Sequence, residues 1–224
     1  MIREEINTGL IRLLRKGRVV GDDMLDFSMI INHRIDVSLL NRLCKSVVDK
    51  EKYDVDAVCT AASSGIGFST IIGSILEKPV IFAQKGAKSP KIMSGKTIFQ
   101  RRITSPTKGD VTNLYLCGDA FTGCRRILLA DDFLFRGTTM GSLIEIIREL
   151  GIEPVEALVF VNKSFDEGWR VISKKYGVPV KKIISIDKIE PHGLRANLHI
   201  DELLFKPKDV TISLQRYSPE ESRD

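Results

Sequence analysis

The stretch Arg126-Ile127-Leu128-Leu129-Ala130-Asp131-Asp132-Phe133-Leu134-Phe135-Arg136-Gly137-Thr138-Thr139 decides how the rest of the chain is read. An apolar run, Ile127–Ala130, ends in two adjacent carboxylates; beyond a Gly-Thr-Thr corner, Met140, Leu143, Ile144 and Ile147 recur at helical spacing. A continuous apolar run suits a strand buried on both faces, and the periodic segment suits a helix packed on it. Asp131 and Asp132 then stand at the C-terminal end of a parallel strand, where open α/β sheets bind their ligands. The corner can offer a phosphate its backbone N–H groups, the Thr138 and Thr139 hydroxyls and the positive end of a helix dipole. Carboxylates for hydroxyls beside a cradle for phosphate describe a pocket for a phosphorylated sugar.

Working outward, the same arrangement occurs earlier. Tyr53–Thr60 reads as a strand, Ala61-Ala62-Ser63-Ser64-Gly65-Ile66-Gly67-Phe68 as a corner, the residues through Leu76 as a helix and Pro79–Ala83 as the next strand. Small residues also occur wherever a helix packs closely on a strand. Two such corners in one sheet, one of them carrying paired acids, favour a second phosphate site at Ser63-Ser64-Gly65. Between Gln84 and Asp110 lies a basic stretch with Lys85, Lys88, Lys91, Lys96, Arg101, Arg102 and Lys108. Thr97–Ile103 and Thr112–Leu116 read as its strands. A long basic connection beside two phosphate corners reads as a lid closing over pyrophosphate.

Further strands are expected at 155–161 and 183–186, with a helix around Arg170–Tyr176. Strands alternating with helices predict a doubly wound, mostly parallel α/β sheet. Near the start, Ile6, Leu10, Ile11 and Leu14 keep helical spacing up to Gly17. Residues 19–36 read as irregular or short-strand structure covering a pocket, and Asp36 as the cap of a helix running to about Asp49. One domain is expected over 1–187, with a small hood mainly from residues 1–36. Residues 188–224 form a C-terminal extension, partly β through Asp209–Gln215 and frayed at the end.

The composition suits a soluble protein: 43% hydrophobic and 28% charged residues. A net charge of +5 and a pI near 9.0 suit anionic partners, nucleic acid or a phosphate-rich small molecule. The cations are spread along the chain rather than gathered in a tail. Cys44, Cys59, Cys117 and Cys124 form no Cys-x-x-Cys pair, so free thiols in a reducing compartment are expected. No segment has the apolar length of a membrane span, and the first residues lack a signal-peptide core. A cytoplasmic location follows as the expectation.

Ile127 to Thr139 resembles the phosphoribosyl-pyrophosphate signature of the type I phosphoribosyltransferases. Within that family the chain is most similar to bacterial xanthine phosphoribosyltransferases and next to adenine phosphoribosyltransferases. The resemblance rests on Leu25 with Asn32-His33-Arg34-Ile35-Asp36, on Ser63-Ser64-Gly65-Ile66, on Asp131-Asp132-Phe133-Leu134, and on Lys163-Ser164-Phe165 with Gly168 and Arg170. It covers roughly residues 20–187 and implies the type I phosphoribosyltransferase fold, a purine base and phosphoribosyl pyrophosphate as substrates, Mg²⁺ as cofactor and a homodimer.

Position by position, the resemblance implies these roles. Asp131 and Asp132 bind the ribose hydroxyls directly or through Mg²⁺ waters. Phe135, Arg136, Gly137, Thr138 and Thr139 wrap the 5-phosphate. Ser63, Ser64 and Gly65 hold pyrophosphate under Lys85 and Lys88, joined by Arg101 or Arg102. Catalysis is assigned to Asp131, Asp132 and Lys85. Leu25, Asn32 and Lys163 match base-pocket positions, with Phe133 or Phe165 against the ring. Lys163 matches a donor to O6 and N7, which favours a 6-oxopurine (xanthine, hypoxanthine or guanine) over adenine. Phe135 stands where hypoxanthine–guanine enzymes carry a further acid, and Arg136 where Thr or Asn is usual. A purine-responsive nucleic-acid-binding regulator with the same fold is the reading from another class; the segment before residue 20 is short for the winged helix that such regulators often add.

Overall fold

The computed structural model describes residues 8–12, 14–20, 24–48, 52–87, 95–104, 111–190, 193–198 and 208–217. In chain order the strands are β1 (Arg18–Val20), β2 (Met24–Asp26), β3 (Ala57–Ala61), β4 (Val80–Gly86), β5 (Ile98–Thr104), β6 (Val111–Cys117), β7 (Arg126–Leu134), β8 (Glu153–Lys163), β9 (Val180–Glu190), β10 (Gly193–Leu198), β11 (Lys208–Ser213) and β12 (Gln215–Tyr217). The longer helices are α1 (Val37–Val47), α2 (Gly65–Leu76) and α3 (Thr138–Glu149).

Nine strands form the main sheet in the order β11-β10-β9-β8-β7-β3-β4-β6-β5. Its centre, β4-β3-β7-β8-β9, is parallel. An antiparallel pair flanks it on each side, β6-β5 and β10-β11. The expected mostly parallel, doubly wound sheet is present, with β7 near its middle.

The apolar run of β7 is divided between two cores by the two-residue period of a strand. Leu128 and Ala130 pack with residues of α1, α2 and the segment before residue 36. Ile127 and Leu129 pack with Met140, Leu143, Ile144 and Ile147 of α3. All four strand residues are at most 1% exposed, so truncating Leu128 to Ala costs about 2–5 kcal/mol. The same alternation governs β3, where Val58 faces the first core and Ala57 and Cys59 the second. Burial pushes the Cys44 and Cys59 thiols up to about 12, and all four cysteines are free.

α1 starts where Asp36 Oδ1 accepts the Leu39 amide at 3.1 Å. It buries Leu40, Leu43, Cys44 and Val47, a 3–4 residue stripe that faces inward. Residues 24–32 consist of β2 and a wide π turn, Ser28–Asn32. β1 pairs with β2 on one side and β12 on the other in a separate three-stranded sheet, order β12-β1-β2, with β12 parallel to β1. Between β11 on the edge of the main sheet and β12 lies a single buried residue, Leu214. The extension beyond residue 188 therefore contributes strands to both sheets.

The β5–β6 hairpin continues the sheet beyond β4. Arg101 on β5 ion-pairs with Glu149 and, at 3.7 Å, with Glu145, both on the exposed side of α3. In this arrangement the Arg101 guanidinium lies against α3.

Candidate active site

Strands β3, β7 and β8 end side by side at one edge, and each is followed by a turn carrying site residues. The cleft there is lined by Ser64, Lys85, Asp131, Asp132 and residues 133–140. Two segments far apart in sequence, the Ser64 corner and Arg136–Thr139, thus meet the paired acids. Lys85, exposed on β4, reaches the same cleft.

The acids are locally constrained. Asp132 is 3% exposed, and its Oδ1 accepts the Ser64 hydroxyl at 3.0 Å. Its backbone N–H donates to Asp131 Oδ1 at 3.0 Å. Asp132 Oδ2 is buried and finds no hydrogen-bond partner among the described residues. Burial raises both carboxyls above their ordinary range. Asp131 is pushed furthest because the Asp132 charge adds to desolvation, with Lys85 opposing the shift. For Asp132, burial outweighs the hydrogen bonds from Asp131 and Ser64. Two adjacent carboxyls, Asp132 buried and Asp131 half-buried, with one oxygen unpaired call for a ligand carrying cations or hydroxyls.

Gly65 explains how the acids come so close to the first corner. A Cβ there would lie 2.4 Å from Thr60 Oγ1 and 2.5 Å from Asp131 Oδ1, so only glycine lets the α2 backbone approach the carboxylate. The Ser64 side chain, at the cap position of α2, makes no capping bond, because its hydroxyl is turned to Asp132. The Ala62–Ser63 peptide is cis; Ser63 is exposed and is not part of the cleft lining.

The second corner is shaped by a close approach as well. Gly137, with φ of 77°, caps α3 and leaves its first amides without a side-chain cap. Gly168 presses on this loop, since a Cβ there would meet the Phe135 carbonyl oxygen at 1.8 Å. Thr138 is exposed and Thr139 half-buried at the helix start. Arg136 is exposed.

Toward the base-pocket positions the structure adds contacts that local pattern does not show. Leu25 is buried on β2. Phe27 stacks on Phe133 with centroids 5.6 Å apart, and Phe133 stacks on Phe135 at 5.5 Å and 7°. Lys163, 4% exposed at the end of β8, pairs with Asp166 at 2.9 Å. Its ammonium lies 5.1 Å from the Phe135 ring centroid and 4.7 Å from that of Phe165. Phe165 is largely exposed. Asn32 falls in the π turn, its side chain outside the description, and Lys88 lies outside the described residues. Phe27 and Asp166 were not picked out from the sequence. The signals were Phe27 two residues past Leu25, and Asp166 three residues past Lys163.

No group of three or more His, Cys, Asp or Glu side chains gathers among the described residues. Asp131 and Asp132 are hard oxygen donors, and the unpaired Oδ2 suits Mg²⁺ held mainly by substrate oxygens and water. No helix among the described residues is long and apolar enough to cross a membrane.

No family model matches the chain. Over 181 residues it is 29% identical to xanthine phosphoribosyltransferase 2 of Clostridium perfringens, spanning 80% of this chain and 93% of that enzyme. Xanthine phosphoribosyltransferase of Streptococcus pneumoniae is 28% identical, over 80% of this chain and 91% of its own length. Among solved structures, adenine phosphoribosyltransferase from Thermoanaerobacter pseudethanolicus superimposes with a TM-score of 0.63 at 17% identity, covering 83% of this chain and 99% of that one. The adenine enzyme from Rhodothermus marinus gives 0.64 at 18%, over 80% and 99%. By sequence the chain is related to the xanthine phosphoribosyltransferases, and its fold is that of the type I phosphoribosyltransferases.

Proposed function

We propose that the chain is a purine phosphoribosyltransferase of nucleotide salvage. It transfers the 5-phosphoribosyl group from phosphoribosyl pyrophosphate to a purine, giving a nucleoside 5′-monophosphate and pyrophosphate. The observation that carries this reading is the meeting, in one cleft, of Asp131 and Asp132 with Ser64 on one side, the loop 135–139 on the other and Lys85 at the mouth. The names of its sequence relatives support it.

The substrate has a phosphate at one end and a pyrophosphate at the other, matching a cleft with a corner at each end. Amides of the 135–139 loop and the Thr138 and Thr139 hydroxyls receive the 5-phosphate. Asp131 and Asp132 accept the ribose hydroxyls, which relieves the adjacent like-charge pair. Ser63, Ser64 and Gly65 receive the pyrophosphate, with Lys85 and Lys88 neutralising it as it leaves. The C1–oxygen bond to pyrophosphate breaks, the bond from C1 to the purine nitrogen forms, and the nitrogen's proton is released. Charge develops on the leaving group and on an oxocarbenium-like ribose, so alignment and fixed charges carry the acceleration. Mg²⁺ bound with the substrate would be held by Asp131 and Asp132 and would supply further neutralisation of the pyrophosphate.

Lys163 orders the bases. An ammonium has three donors and no acceptor, so it suits O6 and N7 of a 6-oxopurine and opposes the amino group of adenine. Leu25, Asn32, Phe133 and Phe165 complete the base subsite. A cytoplasmic homodimer is the assembly that accompanies this reading, and light scattering at assay concentration checks the dimer.

The test is nucleotide formation with Mg²⁺ and phosphoribosyl pyrophosphate from xanthine, hypoxanthine, guanine and adenine separately. A 6-oxopurine is expected to be the best substrate. Turnover of adenine alone would overturn the role of Lys163 and establish the adenine alternative. No turnover with any base would overturn the enzyme reading.

A further inference from the structure

Strand β3 is buried along its whole length, Ala57–Ala61, yet it carries a threonine where an apolar residue would suit the packing. Thr60 is 0% exposed, and its Oγ1 finds no hydrogen-bond partner among the described residues. Hydroxyls nearby on α2 are used: Ser69 donates to the Ala130 carbonyl at 3.2 Å and Ser64 to Asp132 Oδ1 at 3.0 Å. A buried hydroxyl without a partner loses its hydration and gains nothing in return, so a valine of the same shape would be the more stable choice. The position of the hydroxyl supplies a reason for keeping it. The point at which a Gly65 Cβ would lie is 2.4 Å from Thr60 Oγ1 and 2.5 Å from Asp131 Oδ1. Hydroxyl and carboxylate therefore flank one gap, kept open by the glycine. Asp131 lines the cleft and Thr60 does not, so the hydroxyl reaches the site only through the acid.

We infer that Thr60 is a positioning residue for Asp131, its hydroxyl donating across the Gly65 gap to Oδ1 once a bound sugar draws the carboxylate into place. The inference rests on the phosphoribosyltransferase reading above. Asp131 Oδ1 already accepts the Asp132 backbone N–H at 3.0 Å. A carboxylate held by that one bond can still pivot about it. A carboxylate oxygen has more than one lone-pair site, so Oδ1 can take a second donor. Donation from the Thr60 side fixes the plane of the group and leaves Oδ2 for a ribose hydroxyl. The donor is itself well fixed, because a β-branched side chain on a buried strand has few rotamers. Holding the acid in this way sets the sugar relative to both phosphate corners, where a small misplacement is costly in rate. Thr60 has no part in holding the purine.

The experiment compares two variants with the wild type. Thr60→Val keeps the shape and removes the hydroxyl; Thr60→Ser keeps the hydroxyl and removes the methyl. The thermal midpoint, the Kd for phosphoribosyl pyrophosphate by titration calorimetry with Mg²⁺, and kcat and KM for nucleotide formation are measured on each. Thr60→Val is expected to melt at or above the wild-type midpoint, because it removes an unpaired buried hydroxyl. It should nevertheless lower kcat by about tenfold or more, the scale of one lost hydrogen bond to a charged group. Its affinity for phosphoribosyl pyrophosphate should weaken, with KM for the base unchanged. Thr60→Ser is expected to melt below the wild type and to keep kcat within about threefold. Activity then follows the hydroxyl and stability follows the methyl, a split that a purely structural threonine does not produce. Wild-type kcat and Kd in Thr60→Val, an equal loss of kcat in both variants, or a Thr60→Val protein that melts below the wild type would overturn the inference while leaving the enzyme reading intact. Failure of the wild type to make nucleotide from any base would overturn both.

Discussion

Replacing Gly65 by alanine tests how tightly the first corner and the paired acids are fitted together. The added methyl would stand 2.5 Å from Asp131 Oδ1 and 2.4 Å from Thr60 Oγ1. Ordinary van der Waals contact begins at 3.4 Å, so the carboxylate must retreat by about 0.9 Å. The backbone needs no left-handed angle at this position, and alanine is the better helix former there. Strain is thus placed on the Asp131 and Thr60 side chains, and the expected loss of stability is about 1–3 kcal/mol from overpacking. Activity should fall much further in proportion. A displacement near 1 Å of a group that positions the ribose costs roughly a hundredfold in rate, or about 2.7 kcal/mol of transition-state stabilisation. The assay is kcat/KM for nucleotide formation at saturating Mg²⁺, with circular dichroism and thermal melting on the same preparation. A well-folded Gly65→Ala protein with near wild-type kcat/KM would refute the placement of Asp131 against the sugar.

Four further outcomes are expected. Asp131→Asn with Asp132→Asn should lower turnover at least a hundredfold while keeping the fold. Burial raises both carboxyls in the folded state, and the Asp132 charge pushes Asp131 further, so their favourable contribution is complete below the unfolded carboxyl value, near 4, and is lost as pH rises through the folded values. The thermal midpoint of the double variant, measured without Mg²⁺, should therefore gain on that of the wild type between about pH 4 and pH 7; a double-variant midpoint that falls relative to the wild type as pH rises would contradict the raised carboxyls. Phosphoribosyl pyrophosphate at a hundred times its Kd should stabilise the protein by about 2.7 kcal/mol, read as a shift in thermal midpoint that a chelator diminishes. Asp36→Ala removes the acceptor for the Leu39 amide and should cost about 1 kcal/mol in a urea melt, with base and substrate KM unchanged.

The parts of the site that could be read in the sequence are those coded locally. An apolar run closed by two acids and a Gly-Thr-Thr corner contains its own strand, ligand edge and helix start. The same holds for the Ser63–Gly65 corner and the β5–β6 hairpin, whose strand Ile98–Thr104 lies one residue along from the expected position. Contacts between distant segments had no such code. The stacking of Phe27 on Phe133, the pairing of Arg101 with α3, and the steric need for Gly65 beside Asp131 arise from packing across the sheet.

The pairing of Arg18 with Gln215 sets an order of assembly. Of the central parallel strands, β3 and β4, β7 and β8, and β8 and β9 are joined by helical crossovers of modest length, so they can associate while synthesis is still under way. β1 and β2 can complete their three-stranded sheet only after β12 has been made. Closing that contact spans almost the whole described chain, and long-range strand pairing is slow compared with local helix formation. β1, already paired locally with the strand carrying Leu25, therefore gains its second neighbour only after the parallel strands of the main sheet have been made.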